Sequence, residues 1–136
     1  DPCCTRSNVP AVEHFTSEMD GLTLPWHGVV YMNPPYGVML KEFVMKAVNE
    51  AAARNCEVWG LLPVRTNTRY YHKYVFQQAA MIHLWEGEFF FLNNGVKQGP
   101  APQEMMIAYW GTGANVYIPL WEKCNLFPGT LLGRVS

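Results

Sequence analysis

Short apolar blocks, separated by turns rich in proline and glycine, run along this chain with periods that change from block to block. Residues 28–32 (GVVYM) form a continuous apolar run that stops at Asn33-Pro34-Pro35. Two successive prolines withhold two ladder donors, so a strand ends at Asn33. Over 38–54, Phe43, Val44, Ala47, Val48, Ala51 and Ala52 share one helical face, with Lys41, Glu42, Asn49 and Glu50 largely opposite, which predicts an amphipathic helix. A second apolar run at 57–62 (EVWGLL) is stopped by Pro63, completing a strand–helix–strand unit expected to be parallel and right-handed. Residues 68–80 predict another helix, and 81–85 and 88–92 predict strands on either side of Gly87. The stretch 93–103, with Asn93-Asn94-Gly95 and Gly99-Pro100-Ala101-Pro102, reads as a loop. Beyond it, 105–110 and 116–118 read as two strands of a late antiparallel hairpin. This order predicts an α/β fold with a Rossmann-like mixed sheet and an antiparallel C-terminal hairpin.

Composition narrows the class without changing that picture. The 136 residues suit one domain spanning 1–136, and 49% apolar against 15% charged residues excludes disorder or a charged coiled coil as the dominant state. Ten Lys and Arg against eleven Asp and Glu leave a formal charge of −1, so a nucleic-acid partner would have to be held by a local patch. No apolar run has membrane-spanning length and no signal-peptide pattern is seen, so the expectation is a soluble, intracellular, cytoplasmic protein without a membrane partner. Cys3, Cys4, Cys56 and Cys124 lack paired zinc spacing and read as reduced structural thiols. His14, His27, His72 and His83 show no mutual ligand spacing either, so no metal site is expected.

The candidate chemistry centres on Asn33-Pro34-Pro35-Tyr36 followed by Gly37. In open α/β sheets ligands bind beyond the carboxyl ends of strands, which is where this tetrapeptide falls. The prolines fix φ twice in succession, Asn33 offers a carboxamide oxygen, Pro34 offers a carbonyl, and Tyr36 offers an aromatic face. Together they could grip an exocyclic amino group, although an ordinary proline turn is the competing reading. Farther along, Arg65, Arg69 and Lys73 recur every four residues, interleaved with Tyr70, Tyr71 and Tyr74, and no acid occurs between Val58 and Trp85. The segment suits phosphate contact, with a plain solvated helix face as the alternative. Phe89-Phe90-Phe91 and the seven methionines read as core.

Taken in order, Asp20-Gly21-Leu22, Trp26, Gly28, Asn33-Pro34-Pro35-Tyr36-Gly37, Lys46-Ala47 and Leu61-Leu62-Pro63 resemble the phage-type DNA N-6-adenine methyltransferases (Dam-like). The resemblance continues through Arg65-Thr66-Asn67-Thr68-Arg69-Tyr70-Tyr71-His72, Gly87 with Phe89 and Phe91, and Ala101-Pro102, covering roughly Asp1 to Gly111. The Asn-Pro-Pro-Tyr motif is shared with other amino methyltransferases, whereas the spacing from Asp20 to Gly37 and the block from Leu61 to His72 are more specific. The resemblance implies a Rossmann-like domain that uses S-adenosylmethionine (SAM) and DNA, lacking some of the N-terminal elements that complete the family's cofactor pocket. It implies catalytic roles for Asn33, Pro34, Pro35 and Tyr36, cofactor contacts from Asp1, Asp20 and Leu22, and DNA contacts from Arg65, Thr66, Arg69, His72 and Lys73. Two positions depart from the family: Asn67 where an Asp is usual, and Glu88 where a basic residue is usual.

Several readings stay open at this level. The fold could act as a DNA-binding module without catalysis, or methylate cytosine N4, RNA or a glutamine amide. No separate target-recognition domain fits in 136 residues, and the small size makes a homodimer a fair expectation, with Trp110 and Trp121 as interface candidates if exposed.

Overall fold

A computed structural model describes residues 1–4, 10–53, 56–124 and 127–133. Arg54, where the first helix was expected to end, and the side chain of Cys124 lie outside the described set. The first half follows the apolar pattern closely. Strand β1 (Gly28–Met32) leads through helix α1 (Leu40–Ala52) to β2 (Cys56–Pro63), which pairs with β1 in parallel, from Gly28 opposite Cys56 to Met32 opposite Gly60. Helix α1 buries Leu40, Phe43, Val44, Ala47 and Val48, the predicted stripe begun nearly one turn earlier at Leu40, and leaves Ala52 exposed.

The second half departs from the pattern in three places. Of the helix expected over 68–80, residues 69–76 are helical, and Tyr71–Phe76 is a π-helical turn, with Gln77 N–H donating to the His72 carbonyl five residues back. Strand β3 (Met81–Trp85) falls where expected, but β4 (Phe90–Asn93) pairs with β5 (Val96–Pro100), a strand inside the supposed loop. Asn94 at φ 51° and Gly95 at φ 77° supply the two left-handed residues of a tight hairpin turn. Strand β6 (Met105–Trp110) matches its prediction, whereas the strand expected at 116–118 is part of helix α2 (Ala114–Cys124). Ala114, Tyr117, Ile118 and Trp121 are its inward residues, a spacing of three and four that the β-branched run and the internal Pro119 disguise.

The main sheet has the order β1-β2-β6-β3-β7, with β7 (Gly129–Gly133) at the far edge. Strand β6 runs antiparallel between β2 and β3, and β7 runs antiparallel to β3, so one reversed strand is interior and the other is at the edge, and the expected hairpin of 105–110 with 116–118 does not form. The result is a mixed α/β structure in which β4 and β5 form a separate two-stranded sheet. Helix α1, Tyr71 and Val75 pack with Val30, Met32, Val58, Leu62, Met106 and Ala108, while α2 covers Met81 and Tyr109 with Trp59 and Leu131 nearby. Trp110 is 2% exposed and donates its Nε1–H to the Tyr74 carbonyl at 2.9 Å, which removes it as an exposed interface residue; Trp121 is half-buried. No helix among the described residues is long and apolar enough to cross a membrane.

Burial leaves a pH signature. It pushes the Cys3 thiol from its usual 9.0 up to about 12 and the Cys56 thiol up to about 11. Burial also lifts the Tyr109 hydroxyl from 10.0 to about 12, with the Gly113 N–H opposing and Glu57, which accepts its proton at 3.0 Å, reinforcing. Each folded-state group keeps its proton after the unfolded chain has lost its own, so the unfolded state binds fewer protons across this interval. Stability is therefore unaffected by these groups below about pH 9 and falls as pH rises from about 9 to about 12. Denaturant midpoints measured across that range are expected to decline steadily, with a flat profile counting against the assignment.

Candidate active site

Strand β1 ends at Met32, and the next four residues leave the sheet from its carboxyl end. Pro34 is buried and Pro35 exposed, while Asn33 and Tyr36 are half-buried. The Tyr36 hydroxyl lies 3.0 Å from Asn33 Oδ1 and 3.1 Å from the Leu61 carbonyl on β2. A phenol has one proton to donate, so these acceptors share it, and the contact ties the turn to the neighbouring strand. Burial pushes the Tyr36 hydroxyl far above the usual phenol range, with Tyr31 and Tyr71 adding to the effect, so it remains a neutral donor at physiological pH. Tyr36 thus holds the Asn33 carboxamide in place, a function that the expectation of a purely stacking ring did not include.

The loop before β1 forms the facing wall. Asp20 sits at φ 52°, its Oδ1 accepting the Leu22 N–H at 3.2 Å and its carbonyl accepting the Thr23 N–H and hydroxyl. Gly21 is pressed against the chain start, where a Cβ would lie 2.0 Å from the Pro2 carbonyl oxygen. Its carbonyl accepts Trp26 Nε1–H at 2.8 Å, fastening the loop to the core. Gly21→Ala sets a side chain against backbone that cannot rotate away, and is expected to lower unfolding free energy by about 1–3 kcal/mol in denaturant melts.

Between these walls lies a cavity of about 600 Å³. Asn33, Pro34, Pro35 and Tyr36 line it on one side, and Asp1, Asp20 and Gly21 on the other. The structure therefore brings the catalytic candidates together with two of the three cofactor candidates. Leu22, the third, instead packs half-buried against the core. Asp20 is exposed and uses Oδ1 internally. The Asp1 side chain is only 5% exposed, accepting the Cys3 N–H through Oδ1 and facing His14 with Oδ2. Phe91 also lines the cavity, its ring 6.4 Å from that of Tyr36 and tilted by 56°. Reading the three phenylalanines as core missed this residue. The signal available was the Asn94-Gly95 turn, which marks a hairpin that carries Phe91 out of the sheet's interior.

The basic segment leaves the sheet at the end of β2. Arg65 is half-buried and Thr66, Arg69, His72 and Lys73 are exposed. His72 Nε2 is 2.7 Å from the Thr66 carbonyl, closing the turn that contains Asn67. The tyrosines divide by burial: Tyr71 is fully buried and donates to the Pro63 carbonyl at 2.6 Å, while Tyr70 and Tyr74 pack half-buried against the core. Lys73 Nζ lies 5.2 Å from the Tyr74 ring centroid. The outward surface is accordingly basic, and its aromatic component belongs mostly to the core. Glu88 is exposed at a second cavity of about 610 Å³, lined by Trp59, Trp85, Phe89 and Trp121.

The family model of DNA N-6-adenine-methyltransferase (Dam) matches residues 1–118. The chain belongs to the Dam family. The match takes in both walls of the first cavity and the whole basic segment, and ends within α2. No curated protein and no solved structure matches the chain. The Dam family is one of enzymes that methylate adenine in DNA, which gives the arrangement of Asn33, Tyr36 and Asp20 its chemical context.

Proposed function

We propose that this chain is a SAM-dependent DNA adenine-N6 methyltransferase domain with a Rossmann-like sheet. The observation that carries the reading is the single cavity in which the Asn33–Tyr36 turn faces Asp20 just beyond the carboxyl end of β1. Its size lies within the range of about 300–1,000 Å³ usual for ligand sites. Its walls combine apolar Met39 and Phe43 with the Asp20 carboxylate, whose second oxygen suits a hydroxyl or amine of the cofactor. Asp20 would be the principal cofactor contact, with Leu22 supporting it by donating its N–H to Asp20 Oδ1. The Asp1 carboxylate is turned to His14 and the Cys3 N–H, so the cofactor role falls to Asp20 and not to Asp1.

When bound, SAM supplies a methyl group on a sulfonium sulfur that retains the bonding electrons, while the amine nitrogen gives up one proton to solvent. The chain's part is positioning. Asn33 Oδ1 and the Pro34 carbonyl accept the two amino hydrogens of adenine, which draws the nitrogen lone pair out of conjugation and aims it at the methyl carbon. Tyr36 fixes the Asn33 acceptor through its hydroxyl and offers its ring, with the tilted Phe91 ring beside it, to a base flipped out of the duplex. Arg65, Thr66, Arg69, His72 and Lys73 hold the phosphates that keep the duplex in place.

Transfer of labelled methyl from SAM to duplex DNA, single-stranded DNA and RNA, followed by nucleoside analysis, tests the reading. N6-methyladenine from DNA supports it, and methylcytosine or label in RNA replaces the substrate. DNA binding by folded protein without transfer to any of these favours a binding module. Tyr36→Phe deletes one hydrogen bond while keeping the ring, so methyl transfer should fall by up to about tenfold, with single-turnover rates as the measure.

A further inference from the structure

The other cluster of reactive side chains lies at the start of the chain, on the inner side of the cavity wall. Asp1, Cys4 and His14 place a carboxylate oxygen, a thiol sulfur and an imidazole nitrogen within 4.8 Å of one another. Asp1 Oδ2 is 4.0 Å from His14 Nδ1. The grouping is held by backbone, because Phe15 N–H donates to the Asp1 carbonyl at 2.9 Å and Cys4 N–H donates to the Phe15 carbonyl at 3.2 Å. These bonds clasp residue 15 to the chain start and set His14 beside Asp1 and Cys4. Cys4 is 6% exposed and the Asp1 side chain 5%.

A second observation points to a ligand. His14 Nδ1 is buried and has no hydrogen-bond partner among the described residues. A buried ring nitrogen without a partner forfeits a stabilising interaction unless something else meets it. A cation between the three donors would meet it, and would also balance the buried Asp1 carboxylate.

We propose that Asp1, Cys4 and His14 form a zinc-class site that fastens the chain start to the segment before Asp20. Mixed oxygen, nitrogen and sulfur donors suit Zn²⁺, which tolerates all three in tetrahedral geometry with a water or further donor in the fourth position. With metal–ligand distances of about 2.0–2.3 Å, neighbouring donors stand about 3.3–3.6 Å apart, so closure needs shifts of about 1 Å. Binding displaces the Cys4 thiol proton and leaves the thiolate on the metal. The sequence does not announce the site because its spacing, three residues and then ten, matches no paired-cysteine pattern. It does not depend on the methyltransferase reading, and its test uses binding alone.

Titration of the reduced full chain with Co²⁺, read by thiolate charge-transfer and d–d absorption, is expected to reach one ion per chain. Zn²⁺ should then displace it and raise the melting temperature. Cys4→Ser should remove the charge-transfer band. His14→Ala should weaken binding beyond the about 10- to 100-fold typical of losing an outer partner. Cys3→Ser should leave the spectrum intact, which separates the site from its neighbouring thiol. Absence of saturable uptake by folded wild-type protein at micromolar metal overturns the proposal. Uptake that survives both Cys4→Ser and His14→Ala also overturns it, since the ion would then sit elsewhere. If Cys4→Ser fails to fold, His14→Gln read by the same titration decides, with undiminished binding counting against the site.

Discussion

Asn33→Ala is expected to reduce methyl transfer to DNA by on the order of 10²–10³-fold, the size of effect seen when one preorganised hydrogen-bonding group is removed from an active site. The structure separates this effect from folding. Asn33 is half-buried, and the Tyr36 hydroxyl that donates to Oδ1 has a second acceptor in the Leu61 carbonyl, so the turn stays tied to β2 after truncation. Melting should therefore change by no more than about 1 kcal/mol. DNA affinity should change little, because the phosphate contacts assigned to the chain lie on the segment after β2. Asn33→Asp keeps an acceptor in the same place and should retain more activity than Asn33→Ala. Equal losses in both variants, or a large stability loss in Asn33→Ala, would show that Asn33 is a structural turn residue. Single-turnover methylation beside denaturant melts distinguishes these outcomes.

The place of the candidate turn in the fold was more legible in the sequence than the sheet around it, for a local reason. A strand stopped by two prolines places its ending and the following side chains by short-range sterics alone, so Asn33 and Tyr36 could be located without knowing the sheet order. Asp20 was legible through family resemblance, but its turn conformation was not, since it depends on a left-handed residue beside a glycine packed on Pro2. The β4–β5 hairpin was missed although its Asn94-Gly95 turn is a local signal, and the remaining errors arose where side-chain type and local or distant packing disagree. Residues 116–118 have strand-like side chains, yet they follow Gly113, whose carbonyl accepts from Val116 and Tyr117 and starts a helix. Tyr71 belongs to a basic run by sequence, but the π-helical turn rotates it inward to donate to the Pro63 carbonyl. The placement of β6 between β2 and β3 follows from no local pattern, because its pairing partners are both distant in sequence.

Replacing Arg65, Arg69 and Lys73 together by Ala is expected to raise the dissociation constant for DNA on the order of 10- to 100-fold at physiological salt, with the rate of methyl transfer from the bound complex nearly preserved. The three side chains leave the sheet together after β2, in a stretch free of acids from Val58 to Trp85, and Arg69 and Lys73 are exposed. Their loss removes no large apolar contact, because Tyr71 and Val75 do the segment's core packing. Arg65 needs its own control, since it hydrogen-bonds the Tyr70 hydroxyl and partly offsets the upward push that burial gives that phenol. Arg65→Lys keeps the charge but not the planar fork, so it tests geometry separately from charge. Salt dependence is the readout that a packing defect would not reproduce. Each lost phosphate contact should flatten the slope of log affinity against log salt by about 0.9 on duplex DNA. A triple variant that binds more weakly with an unchanged slope would place the phosphates elsewhere and leave this segment a solvated face, whereas a slope reduced by two to three such increments would assign it to the DNA backbone.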